Sequence, residues 1–544
     1  MIVVVLYSVL TTGKSHCTLL EFGTSHRSRY VYAKKTPVVG LDIKCHTLVK
    51  LANILTTLPH VPESAFDIPD MPKPAEEGIK SLLFRAIPAK SHEQGDLLPS
   101  LLTQQAINFY QTLSKPLKST YLRVLARDFG VDKTQALKAA VELTKSVDKT
   151  ERAIVRAQEE LRQALIAPYQ KFFHQVNQLP EGMSWLVMLR ADVLGLLEDD
   201  NDPLLHVLDI ALKSLLGSWF GIGFLELERL TWNSPASVLE KVISYEAVHE
   251  IKSWVPHMKQ RLSQGRLCYG FFHRAIPLLP LAYVQVALVD KMASSIQAIL
   301  DDSQPSAKPE DLKIAMFYSI TSTQRGLQGV DLGNFLIKRV VVEIKKNIPT
   351  VETFSTLSPI PGFCKWLRTQ LNQEIGSGGA TNLLENDEIT KLLSGNAGGP
   401  LEAALKLNDI LSFSDWASDN NLTELLMPVL LRLCSRYLLL EKKRSFCLDP
   451  VANFHLRNGA SAHRINWMGD TSPKGRESSC GMMVNYNYIV PAIELNNQRY
   501  MHHGSVAIVS TVEGIHPSLR WAVRQGGRMF TIINDTAPPK EPHL

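Results

Sequence analysis

The feature that most constrains this chain is a change of hydrophobic period near Phe220. Between about 98 and 219 apolar residues recur at helical spacing. Leu122, Leu125 and Phe129 fall at i, i+3 and i+7, and Gly130 supplies a stop. Asp148 is expected to cap a following helix in which Ile154, Ala157, Leu161 and Leu165 share an apolar face. Further helices are expected at 169–176, 185–197 and 204–216. After Phe220 the pattern turns to alternation (224–232), a short aromatic run (268–272) and two continuous apolar runs, 281–289 and 314–320. Runs of that length and β-branched content read as buried strands. Helical stretches at 235–244, from 332 and at 423–437 alternate with them. One layer cannot serve both periods, so the chain is expected to be α+β, with an all-α helical bundle followed by an α/β domain.

Length and charge narrow the function. At 544 residues with 45% hydrophobic and 20% charged residues the chain can bury sizeable cores and is not globally disordered. Its net charge of +5 suits a small polyanionic ligand but falls short of a nucleic-acid surface. No apolar stretch approaches the roughly 20 residues of a transmembrane helix. The seven cysteines are scattered without zinc or disulfide spacing, and the adjacent His502 and His503 do not make a metal pair, so no metal is expected. Five basic residues against Glu21 in residues 1–41 suggest a transit peptide, and five prolines between 58 and 75 read as a linker. The stretches 303–309 and 376–399 read as surface loops.

Three motifs carry chemistry. The strand at 314–320 runs through a glycine-containing loop, Gln324 to Asn334, into a helix bearing Leu336, Val340 and Ile344 on one face. Unsatisfied backbone N–H groups at such a junction favour phosphate, and glycine lets it come close. The loop is neither a P-loop nor a dinucleotide fingerprint. Next, Thr353 to Phe363 reads as a strand stopped by Pro359 and Pro361, which places Ser358 at a strand end, as a turn cap or as a positioned donor. Third, Asp449-Pro450 opens a short helix that carries His455 and ends at Gly459.

Segments 324–341, 354–367, 450–468 and 479–488 together resemble the malonyl-CoA decarboxylase family, and the likeness spans roughly 90 to 490. Gln324 to Gly329 is similar to the loop with which GNAT acetyltransferases hold the pyrophosphate of coenzyme A. The resemblance implies a GNAT-like catalytic domain behind a helical domain that mediates homo-oligomer contacts, a tetramer in the family. It also implies conversion of malonyl-CoA to acetyl-CoA and carbon dioxide, with no metal and no cofactor beyond the coenzyme A of the substrate. Ser358 and His455 match the catalytic pair. Ser358 is expected to position and polarise the thioester or carboxylate end, and His455 to protonate the α-carbon. Substrate contact is expected from Gln328, Gly329, Val330, Asp331, Leu332, Gly333 and Asn334, with Ser358 and His455. Asp331 stands where family members carry Glu, and Tyr488 matches a tyrosine near the site, or else is a half-buried strand aromatic.

On this reading residues 1–85 are leader and linker, 86–219 the helical domain, 220–510 the catalytic domain and 511–544 an atypical tail. The end, Pro542-His543-Leu544, lacks the peroxisomal Ser-Lys-Leu, so the mitochondrial matrix is expected, ahead of cytosol or peroxisome. The rival readings are a GNAT-type acyltransferase and a catalytically impaired CoA-binding scaffold.

Overall fold

A computed structural model describes residues 3–4, 18–24, 31–37, 75–87, 97–301, 311–330, 332–413 and 416–535; at 3–37, 75, 97 and 333–335 only the backbone is described. The chain divides into two compact units, Met1–Lys73 and Pro74–Leu544. In the first, strands Val3–Val4, Thr18–Thr24 and Val31–Pro37 pair antiparallel. The second unit carries the helical half and the main sheet.

Among the described residues eight helices open that unit: α1 (Ala75–Ala86), α2 (Leu97–Thr112), α3 (Lys115–Asp128), α4 (Lys133–Ser146), α5 (Glu151–Ala164), α6 (Pro168–Asn177), α7 (Gly182–Asp199) and α8 (Pro203–Trp219). Prolines in the first turn start α3, α6 and α8, where a missing N–H loses no helical bond. Asp132 and Asp202 accept the orphan N–H groups of α4 and α8. In α8, Leu205, Leu208, Leu212 and Leu216 form one buried stripe, each worth about 1.5–3 kcal/mol of burial. The buried ring of Tyr110 meets Tyr121 at 4.9 Å and Trp185 at 5.5 Å, and its hydroxyl donates to Asp192 at 2.7 Å. Two readings change here. Thr150, not Asp148, stands at the N-terminus of α5. The first helix begins at Ala75, inside the segment assigned to leader and linker, because Ile79, Leu82 and Leu83 are buried in the core.

The sheet is built from β1 (Leu225–Leu230), β2 (Arg266–His273), β3 (Ala282–Val289), β4 (Ile314–Ser322), β5 (Thr353–Thr356), β6 (Ser358–Pro359), β7 (Ser461–Asn466), β8 (Met483–Asn487), β9 (Val506–Thr511), β10 (Gly514–Ile515) and β11 (Phe530–Asn534). Across the sheet the order is β10-β9-β7-β8-β5-β4-β3-β2-β1, with β6 beside β8 and β11 beside β9. Strands β1 to β4 are an antiparallel meander, and β5 then joins β4 in parallel through a crossover helix, α9 (Gly333–Asn347). This antiparallel-then-parallel order is the GNAT-like arrangement the resemblance implied. Buried on both faces, β2 to β4 read as near-continuous apolar runs in the sequence. Further helices follow in this half: α10 (Phe363–Gly376), α11 (Asn420–Leu439), α12 (Pro450–Arg457), α13 (Pro473–Ser479) and α14 (Pro517–Gly526), of which α12 and α14 pack on β7.

The C-terminal segment differs from a trailing tail. Residues 511–535 continue the sheet: β11 pairs in parallel with β9 from Val506↔Phe530 to Ser510↔Asn534, and α14 packs on α11 and β7. The segment 376–399 is not wholly loop either, since Asn386–Leu392 is a helix closed by a reciprocal Glu385 and Glu388 capping box. The stretch 303–309 lies outside the described residues.

Candidate active site

Strands β4 and β5 part company partway along. They pair from Ile314↔Thr353 to Phe317↔Thr356, while β4 continues to Ser322 against β3 alone. The chain of β5 instead turns through Leu357 into β6, where Ser358 pairs with Val484 of β8. The split opens a cavity of about 260 Å³. Phe317, Ile320 and Ser322 line one side, Ser358 and Pro359 the other, and Val451, Phe454 and His455 of α12 close it with Val248. No lysine or arginine is among the lining residues.

Helix α12 aims His455 because its start is fixed. Asp449, fully buried, accepts from Val451 N–H at 3.0 Å and Ala452 N–H at 2.8 Å, and from the Tyr437 hydroxyl at 3.1 Å. His455 Nε2 then lies 2.9 Å from Ser358 Oγ, and His455 Nδ1 lies 2.9 Å from Tyr488 Oη. Its ring stacks on Tyr486 at 4.8 Å and meets Phe454 edge-on at 5.1 Å. Such burial disfavours the imidazolium and pulls the His455 pKa down to about 3, so the ring is neutral near pH 7. Burial likewise pushes the Tyr488 hydroxyl well above the usual phenol value, keeping it protonated. Ser358 Oγ also lies 2.9 Å from Thr356 Oγ1, which accepts from Tyr486 N–H.

A neutral imidazole has one donor and one acceptor, so the chain of hydroxyls has two consistent polarities. In one, Tyr488 donates to Nδ1, Nε2–H donates to Ser358, and Ser358 is free to donate to Thr356 or to a molecule in the cavity. In the other every bond runs in reverse. Only the first puts a transferable proton on the nitrogen beside the cavity.

The glycine loop follows β4 at the open end of the split. Gly329 takes φ +75° and is exposed with Gln328; Val330 is half-buried and Leu332 buried. Asp331 lies outside the described residues, and for Gly333 and Asn334 the backbone opens α9. The loop is tied down by a residue the motif reading had passed over. Arg190 of α7, 2% exposed, donates to the carbonyls of Gly326 at 2.6 Å and Gln328 at 2.9 Å while pairing with Asp209 of α8 at 2.8 Å. Within the loop the N–H groups of Leu327, Gln328, Val330 and Leu332 bond to the carbonyls of Gln324, Arg325, Leu327 and Val330. Gly326 sits so close to α7 that a Cβ there would be 1.8 Å from the Val187 carbonyl oxygen. Lys213 Nζ of α8 would stand 3.0 Å from a Cβ on Gly329, bordering a cleft of about 470 Å³ beside the loop.

The structure therefore brings Ser358, His455 and Tyr488 together, and sets the loop residues apart at the mouth of the same split. Tyr488 is a buried partner of His455 rather than a half-exposed strand aromatic. Thr356, Tyr486 and Val248 also belong to the site, and nothing in their local sequence marks them. Among the described residues no group of three or more His, Cys, Asp or Glu side chains gathers to hold a metal, and no helix is long and apolar enough to cross a membrane.

Known proteins share this architecture. The family model described as the malonyl-CoA decarboxylase C-terminal domain matches residues 223–525, and that of the N-terminal domain matches residues 129–220. The mitochondrial malonyl-CoA decarboxylase of Rattus norvegicus is 42% identical over 434 residues, covering 78% of this chain and 87% of the rat protein. That of Anser anser anser is 42% identical over 390 residues, 71% of this chain and 77% of the goose protein. The crystal structure of malonyl-CoA decarboxylase from Rhodopseudomonas palustris superposes with a TM-score of 0.70 at 34% identity, over 80% of this chain and 98% of that one. With both family models matched in order, the split sheet intact and the serine and histidine motifs in contact, the chain belongs to the malonyl-CoA decarboxylase family.

Proposed function

We propose that this chain converts malonyl-CoA to acetyl-CoA and carbon dioxide in the cavity between β4 and β6. The observation that carries the reading is a neutral, buried Ser358–His455 pair facing an apolar cavity whose lining holds no cation. A lysine or arginine there would stabilise the malonyl carboxylate and oppose its loss. An apolar wall disfavours the charged carboxylate relative to neutral carbon dioxide.

Decarboxylation leaves an enolate on the thioester, which needs a donor at its oxygen and a proton at its carbon. Ser358 supplies the donor and holds the acyl end, without acting as a nucleophile. His455 delivers the Nε2 proton; a neutral imidazole is a weak acid, but an enolate carbon is a far stronger base. Tyr488, donating to Nδ1, sets the Nε2–H tautomer and stabilises the ring as its proton leaves. The loop from Gln328 to Asn334 holds the phosphates of coenzyme A where the backbone opens α9, because the N–H groups of Gln328, Val330 and Leu332 are bonded within the loop, and Arg190 braces it. The mitochondrial relatives support placement in the mitochondrial matrix, and the helical half is read as the surface of a homotetramer.

Incubating the purified chain with malonyl-CoA and no amine tests the reaction. Acetyl-CoA and carbon dioxide in equal amounts support it; an amine requirement would instead favour an acyltransferase, and no turnover with retained coenzyme A binding a scaffold. Light scattering during size-exclusion chromatography tests the tetramer.

A further inference from the structure

Six residues beyond Ser358, Cys364 in the first turn of α10 places its Sγ 3.3 Å from Sγ of Cys480, the residue that ends α13 in a left-handed conformation (φ 52°). Both are free thiols and both are largely buried. They are not sealed off, because both line a cavity of about 40 Å³ together with Arg368, Arg476 and Glu477. That is room for about two or three waters, and so for one hydrogen peroxide. The two thiols are unequal. The hydrogen bond from Cys480, helped by the nearby Arg368, holds the Cys364 thiol below its ordinary pKa, while the same contact pushes Cys480 up. One is suited to attack an oxidant and the other to resolve the product.

We infer that Cys364 and Cys480 are a peroxide-sensitive pair whose disulfide slows decarboxylation. The Cys364 thiolate attacks one peroxide oxygen, the O–O bond breaks, hydroxide leaves and the sulfur is oxidised to sulfenic acid. The Cys480 sulfur then attacks that sulfur; an S–S bond forms, the S–O bond breaks, and the departing oxygen leaves as water with the Cys480 proton. Two thiols and one peroxide give one disulfide and two waters. A dithiol reductant reverses the change.

The effect on turnover follows from what the pair joins. A disulfide draws its sulfurs to about 2.05 Å, so they must close by about 1.3 Å. Cys364 is tied through Pro359 and Pro361 to Ser358, and Cys480 leads directly into β8, whose Met483 and Val484 pair with Pro359 and Ser358. The neighbouring Phe363 packs on Tyr437 at 5.9 Å, and Tyr437 donates to the Asp449 that fixes the helix of His455. Closure therefore pulls on both members of a 2.9 Å contact. Misplacement on that scale costs up to about 100-fold in rate. The coenzyme-binding loop is on other elements.

The experiment treats the full-length protein with hydrogen peroxide, maps its peptides by mass spectrometry without reduction, and measures kcat and KM before and after. The expected result is a Cys364–Cys480 cross-linked peptide, a fall in kcat of at least about tenfold with KM nearly unchanged, and recovery with dithiothreitol. Cys364→Ser and Cys480→Ser are expected to keep basal activity and lose the peroxide response. Absence of the cross-link, a cross-link that leaves kcat unchanged, or equal peroxide sensitivity in both variants would overturn the inference. The cross-link is read by mass alone, so it stands or falls independently of the decarboxylase reading.

Discussion

The proposed catalytic pair and the proposed coenzyme loop lie near the same end of one parted strand, yet they are built in opposite ways. Ser358 and His455 are 4% and 2% exposed, wrapped in aromatic rings and joined by short bonds between side chains. The loop is exposed at Gln328 and Gly329, offers mainly backbone, and takes its rigidity from Arg190 in the helical half. On the proposed function the contrast separates chemistry, which needs a dry site where a carboxylate is unstable, from recognition, which can stay in water where phosphates are stable.

His455→Asn breaks the first region most directly. With the proposed proton donor gone, kcat is expected to fall about 10²–10⁴-fold, measured by acetyl-CoA release; near-normal turnover would remove the proton-delivery role. The same ring predicts a pH effect on folding. Its folded pKa of about 3 lies below the ordinary 6.5, so between those values the unfolded chain binds a proton that the folded chain does not. Stability is expected to be full above about pH 6.5 and to fall on acidification toward pH 3, with His455→Asn showing a shallower slope in urea titrations at pH 7 and pH 5. Burial lowers His249 and His463 too, each to about 4, so part of the slope persists in the variant.

Ser358→Ala is next, with kcat down about 100-fold and KM little changed. A trapped acyl-enzyme on Ser358 would replace positioning with covalent catalysis. Arg190→Met sharpens the other side of the comparison. Two loop carbonyls and the Asp209 carboxylate lose their partner, so about 3 kcal/mol of stability should be lost, with KM for malonyl-CoA up about tenfold and kcat held in the folded fraction. A kcat effect without a KM effect would show that the two regions are not separate. Gly329→Ala should do least: about 1 kcal/mol of backbone strain at positive φ and a KM rise of a few-fold, since the flexible Lys213 head can yield.

Much of this was legible in the sequence wherever signal is local. Asp449-Pro450 gave the start of the helix of His455, the apolar runs at 281–289 and 314–320 gave β3 and β4, and the glycine loop does run from β4 into α9. The pairing of Ser358 with His455, 97 residues apart, came through family resemblance and not through spacing. Arg190 stayed hidden because its partners are carbonyls 136 and 138 residues away, and a carbonyl leaves no mark on residue type. Thr356 and Tyr486 act through cross-strand neighbours that only the register reveals. The short helix Asn386–Leu392 was readable in principle, from Glu385 and Glu388 at capping-box spacing, but the glycines around it pointed to loop. Strand β11 was obscured for another reason: it is short, and its partner is a parallel strand more than twenty residues earlier.

The close seat of Gly326 against Val187 has a consequence for mutational surveys. In a saturation scan read out by growth or product, every side chain at Gly326 should score as severely as one at His455, though it touches no reacting atom. Scoring the same library for abundance would separate them, with seam variants depleted from the soluble pool and pocket variants present in full but silent. A map of intolerance alone would draw the active site too large, extending it into the helical half.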